Sequence, residues 1–111
     1  MIKGKIKKPL LAESILEKIS EYDIFMFYMP HKGWKLNVVT LSPFRNERNP
    51  SFIIGNKHGK LTYIDFADTS KRGDCFTFVQ QLFNLAGMRD VLLMIDRDFK
   101  LGISTGEVTE E

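Results

Sequence analysis

Residues 51–66 read SFIIGNKHGKLTYIDF, and this stretch predicts a β-hairpin. Ser51 to Ile54 and Leu61 to Phe66 are rich in β-branched and aromatic residues, which favour strands. Gly55 to Lys60 lies between them and contains glycine and asparagine, the residues that hairpin turns require. The stretch therefore contributes two antiparallel strands.

The segment before the hairpin predicts a third strand. From Trp34 to Leu41 the side chains alternate, with Trp34, Leu36 and Val38 on one side, as in a half-buried strand. Ser42 to Pro50 is polar and contains two prolines, so we expect a loop that joins this strand to the hairpin.

Two regions flanking the predicted strands have helical periodicity. From Leu10 to Tyr22 the apolar residues recur at helical spacing with acids and lysines between them, which predicts an amphipathic helix. Asp23 to Met29 is aromatic and apolar, and its periodicity fits either a short buried helix or an extended segment.

After the hairpin, Ala67 to Gly73 is a polar loop and Asp74 is positioned to cap a helix. That helix has Phe78, Leu82 and Leu85 on one face, and we expect Gly87 to end it. Met88 to Asp98 predicts a second helix.

Together these elements predict an α+β fold with a small three-stranded antiparallel sheet flanked by helices. The chain has 111 residues, which is the size of one domain. We divide it into a basic N-terminal arm at 1–9, a folded domain at 10–103 and an acidic flexible tail at 104–111.

Charge and cysteine content limit the function. The formal net charge is +2, too small to indicate nucleic-acid binding from bulk electrostatics. Cys75 is the only cysteine, which excludes an intrachain disulfide and a zinc site built on several thiolates. The chain also lacks a signal-like apolar segment and a membrane-length apolar run, so we predict a cytoplasmic location.

Residues 42–52, SPFRNERNPSF, resemble the pattern Cys-Pro-Phe-His-x-Glu-x-x-Pro-Ser-Phe of the zinc-ribbon domain at the N-terminus of bacterial and phage-type DNA primases. The family then has two cysteines separated by two residues, followed by Gly-Gly-Asp and a helix with Phe-Val. This chain has Arg72-Gly73-Asp74 and Phe78-Val79 at the same offsets. The similarity extends from about Ala12 to Ile103.

The resemblance implies that all four zinc ligands have been replaced. The corresponding positions are Ser42, Arg45, Phe66 and Thr69, so we predict a metal-free, zinc-ribbon-like domain without a cofactor. Two hypotheses follow for the vacated site. Phe66 closes it with apolar contacts, and Arg45 pairs across it with Asp65 or Asp68.

In that family the domain engages the template and helps to choose where priming begins, while a separate domain polymerises. The resemblance thus implies recognition of a single-stranded DNA template in replication, with no catalytic residue in this chain. A replicative helicase and a primase polymerase domain are the protein partners it implies. The alternative is a protein-interaction module that kept the fold but lost DNA binding.

Template recognition requires cations for phosphates and planar side chains for bases. The candidate DNA-binding residues are Arg45, Arg48, Lys57, Lys60, Lys71, Arg72, Trp34 and Tyr63. Phe66 is a further stacking candidate. The competing interpretations are that the aromatic residues lie in the core and that Arg45 forms a structural ion pair.

Overall fold

A computed structural model describes residues 9–103 and has the α+β architecture expected from the sequence. The predicted arm, apart from Pro9, and the predicted tail lie outside the described residues. Within 9–103 the helices are α1 (Ala12–Leu16), α2 (Glu21–Tyr28), α3 (Cys75–Phe83) and α4 (Met88–Asp98). The strands are β1 (Phe52–Lys57), β2 (Lys60–Asp65) and β3 (Arg72–Gly73).

The three strands form one antiparallel sheet in the order β1-β2-β3. The hairpin register pairs Phe52 with Asp65 and Lys57 with Lys60. Its turn is only two residues long, because His58 (φ 55°) and Gly59 (φ 80°) both adopt the left-handed conformation that tight hairpins need. The predicted hairpin is confirmed, and β1 begins one residue later and ends three residues later than expected.

The predicted strand from Trp34 to Leu41 is wrong. Asn37 takes a positive φ of 63° and donates its backbone N–H to the Ile54 carbonyl oxygen at 2.8 Å, which interrupts any extended run. Only Thr40 pairs with β1, as an isolated bridge to Phe52. The third strand is instead Arg72–Gly73, at the end of the segment predicted to be a loop.

The single helix predicted from Leu10 to Tyr22 is also wrong, because the chain forms two helices there. Ser20 starts α2 with a capping box: its hydroxyl accepts from the Asp23 N–H, and the Asp23 carboxylate accepts from the Ser20 N–H, both at 3.0 Å. This cap settles the open segment as a helix that ends at Tyr28.

The two C-terminal helices are confirmed, with one corrected boundary. Asp74 caps α3 by accepting from the Phe76 and Thr77 N–H groups. However, α3 ends at Phe83 because Asn84 takes the left-handed C-cap conformation (φ 55°), and Gly87 serves as the N-cap of α4.

The core lies between the inner face of the sheet and helices α2 and α3. Phe25, Phe52, Tyr63 and Phe78 are buried and in mutual ring contact, for example 5.3 Å between the centroids of Tyr63 and Phe78. The opposite face of the sheet is left uncovered by helices. No helix formed within residues 9–103 is long and apolar enough to cross a membrane.

Candidate functional site

The uncovered side of the sheet, called the outer face below, is set by the alternation of β1 and β2. Phe52 and Ile54 point into the core, so Ile53 and Gly55 lie on the opposite side. In β2, Thr62 and Ile64 lie on that side, and the register pairs Gly55 with Thr62 and Ile53 with Ile64. The outer face therefore has an apolar centre.

A shallow depression of about 480 Å³ lies on this face. The residues that line it come from all three strands and include Ile53, Gly55, Asn56, Lys57, Thr62, Ile64 and Arg72. Gly55 allows the Asn37 side chain to lie close to β1, because a Cβ at position 55 would be only 2.9 Å from the Asn37 Oδ1 atom. A flat aliphatic floor bordered by cations can accept a planar, negatively charged ligand.

Phe66 extends this face beyond the end of β2. The ladder continues for one bond, since the Phe66 N–H donates to the Ser51 carbonyl oxygen at 2.7 Å. Strand alternation then places its ring on the same side as Thr62 and Ile64. The ring is 57% exposed, so the hypothesis that Phe66 closes the vacated site is wrong.

The six predicted cations do not form one group. Lys57 and Arg72 are exposed and border the depression. Lys60 is instead paired with Glu21 at 3.3 Å and lies 3.8 Å from Asp74. The Lys71 ammonium lies 5.6 Å from the centroid of the Phe44 ring.

Arg48 is exposed in the loop before β1 and has no ion-pair partner among residues 9–103. It does not line the depression.

Trp34 and Tyr63 are too deeply buried in this structure to stack on a base. Their exposed fractions are 5% and 2%. Trp34 packs on Tyr22 with ring centroids 5.4 Å apart, and the Tyr63 hydroxyl donates to the Gln81 side chain. Both rings are core residues, as the competing interpretation expected, because a small domain uses its large aromatic side chains to fill its interior.

Arg45 belongs to a polar cluster at one end of the sheet, centred on Asp65. Asp65 is fully buried, and its Oδ1 accepts from the Arg45 guanidinium and from the Ala67 N–H at 2.9 Å. Its Oδ2 accepts from the Ser42 hydroxyl at 2.7 Å. The predicted pairing of Arg45 with Asp65 is thus confirmed, and Arg45 has a structural role. We call Ser42, Arg45, Glu47, Ser51 and Asp65 the Asp65 cluster.

Glu47 and Ser51 complete the cluster. Glu47 accepts from the Ser42 N–H at 2.6 Å and from the Ser51 hydroxyl at 2.8 Å, and its Oε1 lies 3.4 Å from the Arg45 Nε. The hydrogen bond from the Ser42 N–H is the main reason why the pKa of Glu47 lies below its usual range.

Two opposing effects determine the pKa of Asp65. Burial alone raises the pKa of this carboxyl, but hydrogen bonds from Arg45, Ser42 and the Ala67 N–H together outweigh that effect and hold the pKa below its usual value. The charged form is therefore the stable one in the folded protein.

The four positions implied to be former zinc ligands have different environments. Ser42 and Arg45 are in the Asp65 cluster, whereas Phe66 and Thr69 are exposed in the sequence that follows β2. Among residues 9–103, no group of three or more His, Cys, Asp and Glu side chains is arranged to hold a metal ion. The donors and acceptors of the Asp65 cluster instead satisfy one another.

Cys75 is buried at the start of α3, and burial raises the pKa of its thiol to about 12. A thiol in this state is a poor nucleophile at neutral pH. His58 is exposed in the hairpin turn, and the His31 Nε2 lies 3.4 Å from the Ser42 carbonyl oxygen. None of these side chains forms a catalytic pair with another in the described part of the chain.

Sequence reasoning missed two features of the site. The paired Ile53 and Ile64 were recognised as strand residues but not as the floor of an exposed face, although their register follows from the position of the turn. The contribution of Glu47 and Ser51 to the Asp65 cluster was also missed. Their presence in the Glu-x-x-Pro-Ser motif was the available signal.

Comparisons of this chain with protein-family models, with curated proteins and with solved structures found no match.

Proposed function

We propose that the outer face of the sheet binds single-stranded DNA and that the domain recognises a template strand during primer synthesis. The observation that carries this proposal is the line of side chains on that face. The exposed Phe66 follows the end of β2, where its N–H bonds to Ser51. Ile53, Ile64 and Arg72 lie in the middle of the line, and Lys57 lies at the hairpin end.

This line combines what binding of a single strand requires. An exposed ring offers a stacking plane, and base–aromatic stacking contributes about 1–3 kcal/mol per base. Lys57 and Arg72 are available to phosphates, because neither has an ion-pair partner in the described residues. From Lys57 to Phe66 along the hairpin, the face extends roughly 20 Å at the usual rise per strand residue. That length accommodates a few nucleotides.

The resemblance of residues 42–52 to primase zinc ribbons supports a template strand as the ligand. Under this proposal the Asp65 cluster does what zinc does in that family, holding the loop at 42–50 against the end of β2. The chain acts beside a polymerase domain and contributes no catalytic residue of its own. The cytoplasmic location stays a prediction.

The test is a fluorescence-anisotropy titration of labelled single-stranded DNA at about 50 and 200 mM salt. We compare the wild type with the double variant Lys57→Ala/Arg72→Ala and with the single variant Phe66→Ala. The matched control is Lys18→Ala/Arg89→Ala, which removes the same charge from exposed positions away from the outer face.

We expect the outer-face pair to weaken binding about tenfold at the lower salt. The log–log salt slope should decrease by about 0.7 for each phosphate that the variant no longer neutralises. Phe66→Ala should weaken binding at both salt concentrations, because stacking is not an ionic interaction. Equal effects of the outer-face and control pairs, or no binding at the lower salt, contradict the proposal and leave the protein-interaction alternative.

A further inference from the structure

A second exposed surface is formed where α2, α3 and α4 end. Phe27, Tyr28, Phe83 and Phe99 meet there, and we call them the aromatic surface. Ring centroids are 4.7 Å apart for Phe27 and Phe99 and 5.6 Å apart for Tyr28 and Phe83. Phe27 and Phe83 are nevertheless 49% and 44% exposed. None of the four residues lines the outer-face depression.

Exposure of these rings is not explained by packing of the core. On α2, the buried side chains are Ile24, Phe25 and Tyr28, so a polar residue at position 27 would leave the core filled. Contiguous exposed aromatic area is uncommon on small soluble domains and marks contact sites for other molecules. Aromatic residues are also the side chains that contribute most to protein interfaces.

The charges around the aromatic surface are mostly positive. The Lys32 ammonium is held beside Phe27, because it donates to the carbonyl oxygens of Met26 at 2.7 Å and Phe27 at 3.1 Å. Arg97 is largely exposed, and Lys100 directly follows Phe99.

Asp98 is the only acid within residues 26–32, 80–86 and 97–100. Its carboxylate accepts from the Tyr28 hydroxyl at 2.8 Å and pairs with Arg97 at 3.0 Å. The ion pair between Asp98 and Arg97 neutralises one charge of each sign, and Lys32 and Lys100 leave this surface with a net positive charge.

We propose that the aromatic surface docks an acidic amphipathic helix of a partner protein. Apolar side chains of that helix cover Phe27 and Phe83, and its carboxylates face Lys32 and Arg97. Phe27 and Phe83 are linked through Tyr28 by ring contacts of 4.8 and 5.6 Å. Residues one to two turns apart on a helix, about 5–11 Å, match that span.

The other occupants fit less well. A second copy of this chain would bring Lys32 and Arg97 against the same cations across a symmetric contact. A single strand of DNA needs open ring faces, whereas Phe27 already contacts the rings of both Tyr28 and Phe99.

The probe is a synthetic 16-residue helical peptide with leucines at i, i+3, i+4 and i+7 and glutamates flanking them. A second peptide has lysine in place of every glutamate. Affinity for the 111-residue chain is measured by anisotropy of the labelled peptides. The variants are Phe83→Ser, Phe27→Ser and Arg97→Gln. Val38→Ser/Val39→Ser is the control, because these valines are 51% and 44% exposed away from the aromatic surface.

We expect the acidic peptide to bind more tightly than the lysine peptide. Phe83→Ser and Phe27→Ser should each weaken it at least about tenfold. Arg97→Gln should weaken it by up to about fivefold, as for an exposed ion pair. The valine control should stay within about twofold of the wild type.

Equal affinity for the two peptides, or no binding of the acidic one, overturns the proposal. Self-association that sedimentation detects in the wild type and not in Phe83→Ser would identify a second copy as the occupant. Loss of single-stranded DNA binding in Phe83→Ser would identify nucleic acid instead. Circular dichroism of each variant establishes that it is folded.

Discussion

Asp65 is the residue on which one end of the sheet depends. A carboxylate removed from water is stable only if its oxygens are fully hydrogen-bonded and its charge is balanced. Arg45 supplies the charge, and Ser42 and two backbone N–H groups supply most of the remaining donors. The loop before β1 and the turn after β2 are therefore connected through one side chain.

We predict that Asp65→Asn lowers the free energy of unfolding by about 2–4 kcal/mol. The amide has about the size of the carboxyl group but carries no charge. Its NH₂ group would also be placed against hydrogen-bond donors that now bond to a carboxylate oxygen. Urea denaturation at neutral pH measures the decrease. Asp68→Asn is the matched control, because Asp68 is exposed and, within residues 9–103, its carboxylate accepts hydrogen bonds from Ser70 alone. It should leave the urea midpoint almost unchanged, as for most exposed substitutions. Similar decreases in the two variants contradict the role given to Asp65.

The same cluster predicts how stability changes with pH. The folded protein holds the pKa values of Asp65 and Glu47 below their unfolded values, so folding favours the charged carboxylates. This contribution is complete above the unfolded pKa, about 4. It is lost as pH falls through the lower folded pKa, because the unfolded chain binds protons first. In Asp65→Asn the fall in Tm between pH 5 and 2 should therefore be shallower than in the wild type; an unchanged slope argues against the shift at Asp65.

At the scale of elements, the short strand β3 depends on Gly73. This glycine has a φ of 143°, and an added Cβ would lie 2.8 Å from the Cβ of Thr77 in α3. Neither the backbone at Gly73 nor the β-branched side chain of Thr77 can move easily to relieve this clash. Gly73 also pairs with Tyr63, so the position joins β2 to the start of α3.

We predict that Gly73→Ala costs about 1–3 kcal/mol of stability. It should also weaken the proposed binding of single-stranded DNA, because Arg72 is carried by the same strand. Gly33→Ala is the control, since no atom lies within 4 Å of its added Cβ and its φ is not in the left-handed region. Thermal unfolding measures the Tm of each variant. Equal Tm values would show that β3 tolerates a side chain at position 73.

The elements predicted correctly are those whose signals are local. The hairpin follows from β-branched runs around a glycine turn, and α3 from its Asp74 cap and apolar face. The segment from Trp34 to Leu41 has an equally regular pattern, but Asn37 takes a left-handed conformation that is fixed by a bond to β1. Two-residue β3 has no periodicity to detect, so only the folded chain reveals it.

The candidate site was less predictable because it depends on contacts between residues that are far apart in sequence. Which cations reach the outer face depends on distant partners, such as Glu21 for Lys60 and Asp65 for Arg45. Burial of Trp34 and Tyr63 likewise depends on how the sheet packs on the helices. Residue types identified the candidates, whereas tertiary contacts decided among them.

At the scale of the whole molecule, the Asp65 cluster contains Ser42 and Arg45, two of the four positions that the resemblance assigns to zinc ligands. A structural zinc contributes about 10–16 kcal/mol of apparent binding free energy in small domains, far more than one exposed ion pair. The aromatic core between the sheet and α2 and α3 supplies stability that a small zinc domain takes from its metal. The Asp65 cluster then positions the loop before β1 and the turn after β2, while the core supplies most of the stability of the fold.

The four positions that the resemblance assigns to zinc ligands allow a test of this proposal. Ser42 and Arg45 contact Asp65, the residue before Phe66, so the loop before β1 and the turn after β2 are adjacent. A cysteine at position 66 reaches a shared ion only if its side chain turns from the outer face towards Ser42. The variant Ser42→Cys/Arg45→His/Phe66→Cys/Thr69→Cys supplies the three thiolates and one imidazole that tetrahedral zinc accepts. Without metal it should be less stable than the wild type, because Asp65 loses its two closest side-chain partners, Ser42 and Arg45. With zinc, its Tm should rise by at least about 10 °C.

Cobalt(II) absorption tests the geometry directly, because tetrahedral thiolate coordination gives intense visible bands. The double variant Arg45→His/Thr69→Cys is the control, since two ligands fall short of a structural site. It should show neither the bands nor a zinc-dependent rise in Tm. If the fourfold variant behaves like this control, the four positions do not converge on one ion. The likeness of residues 42–52 to primase zinc ribbons would then reflect the loop's local packing alone.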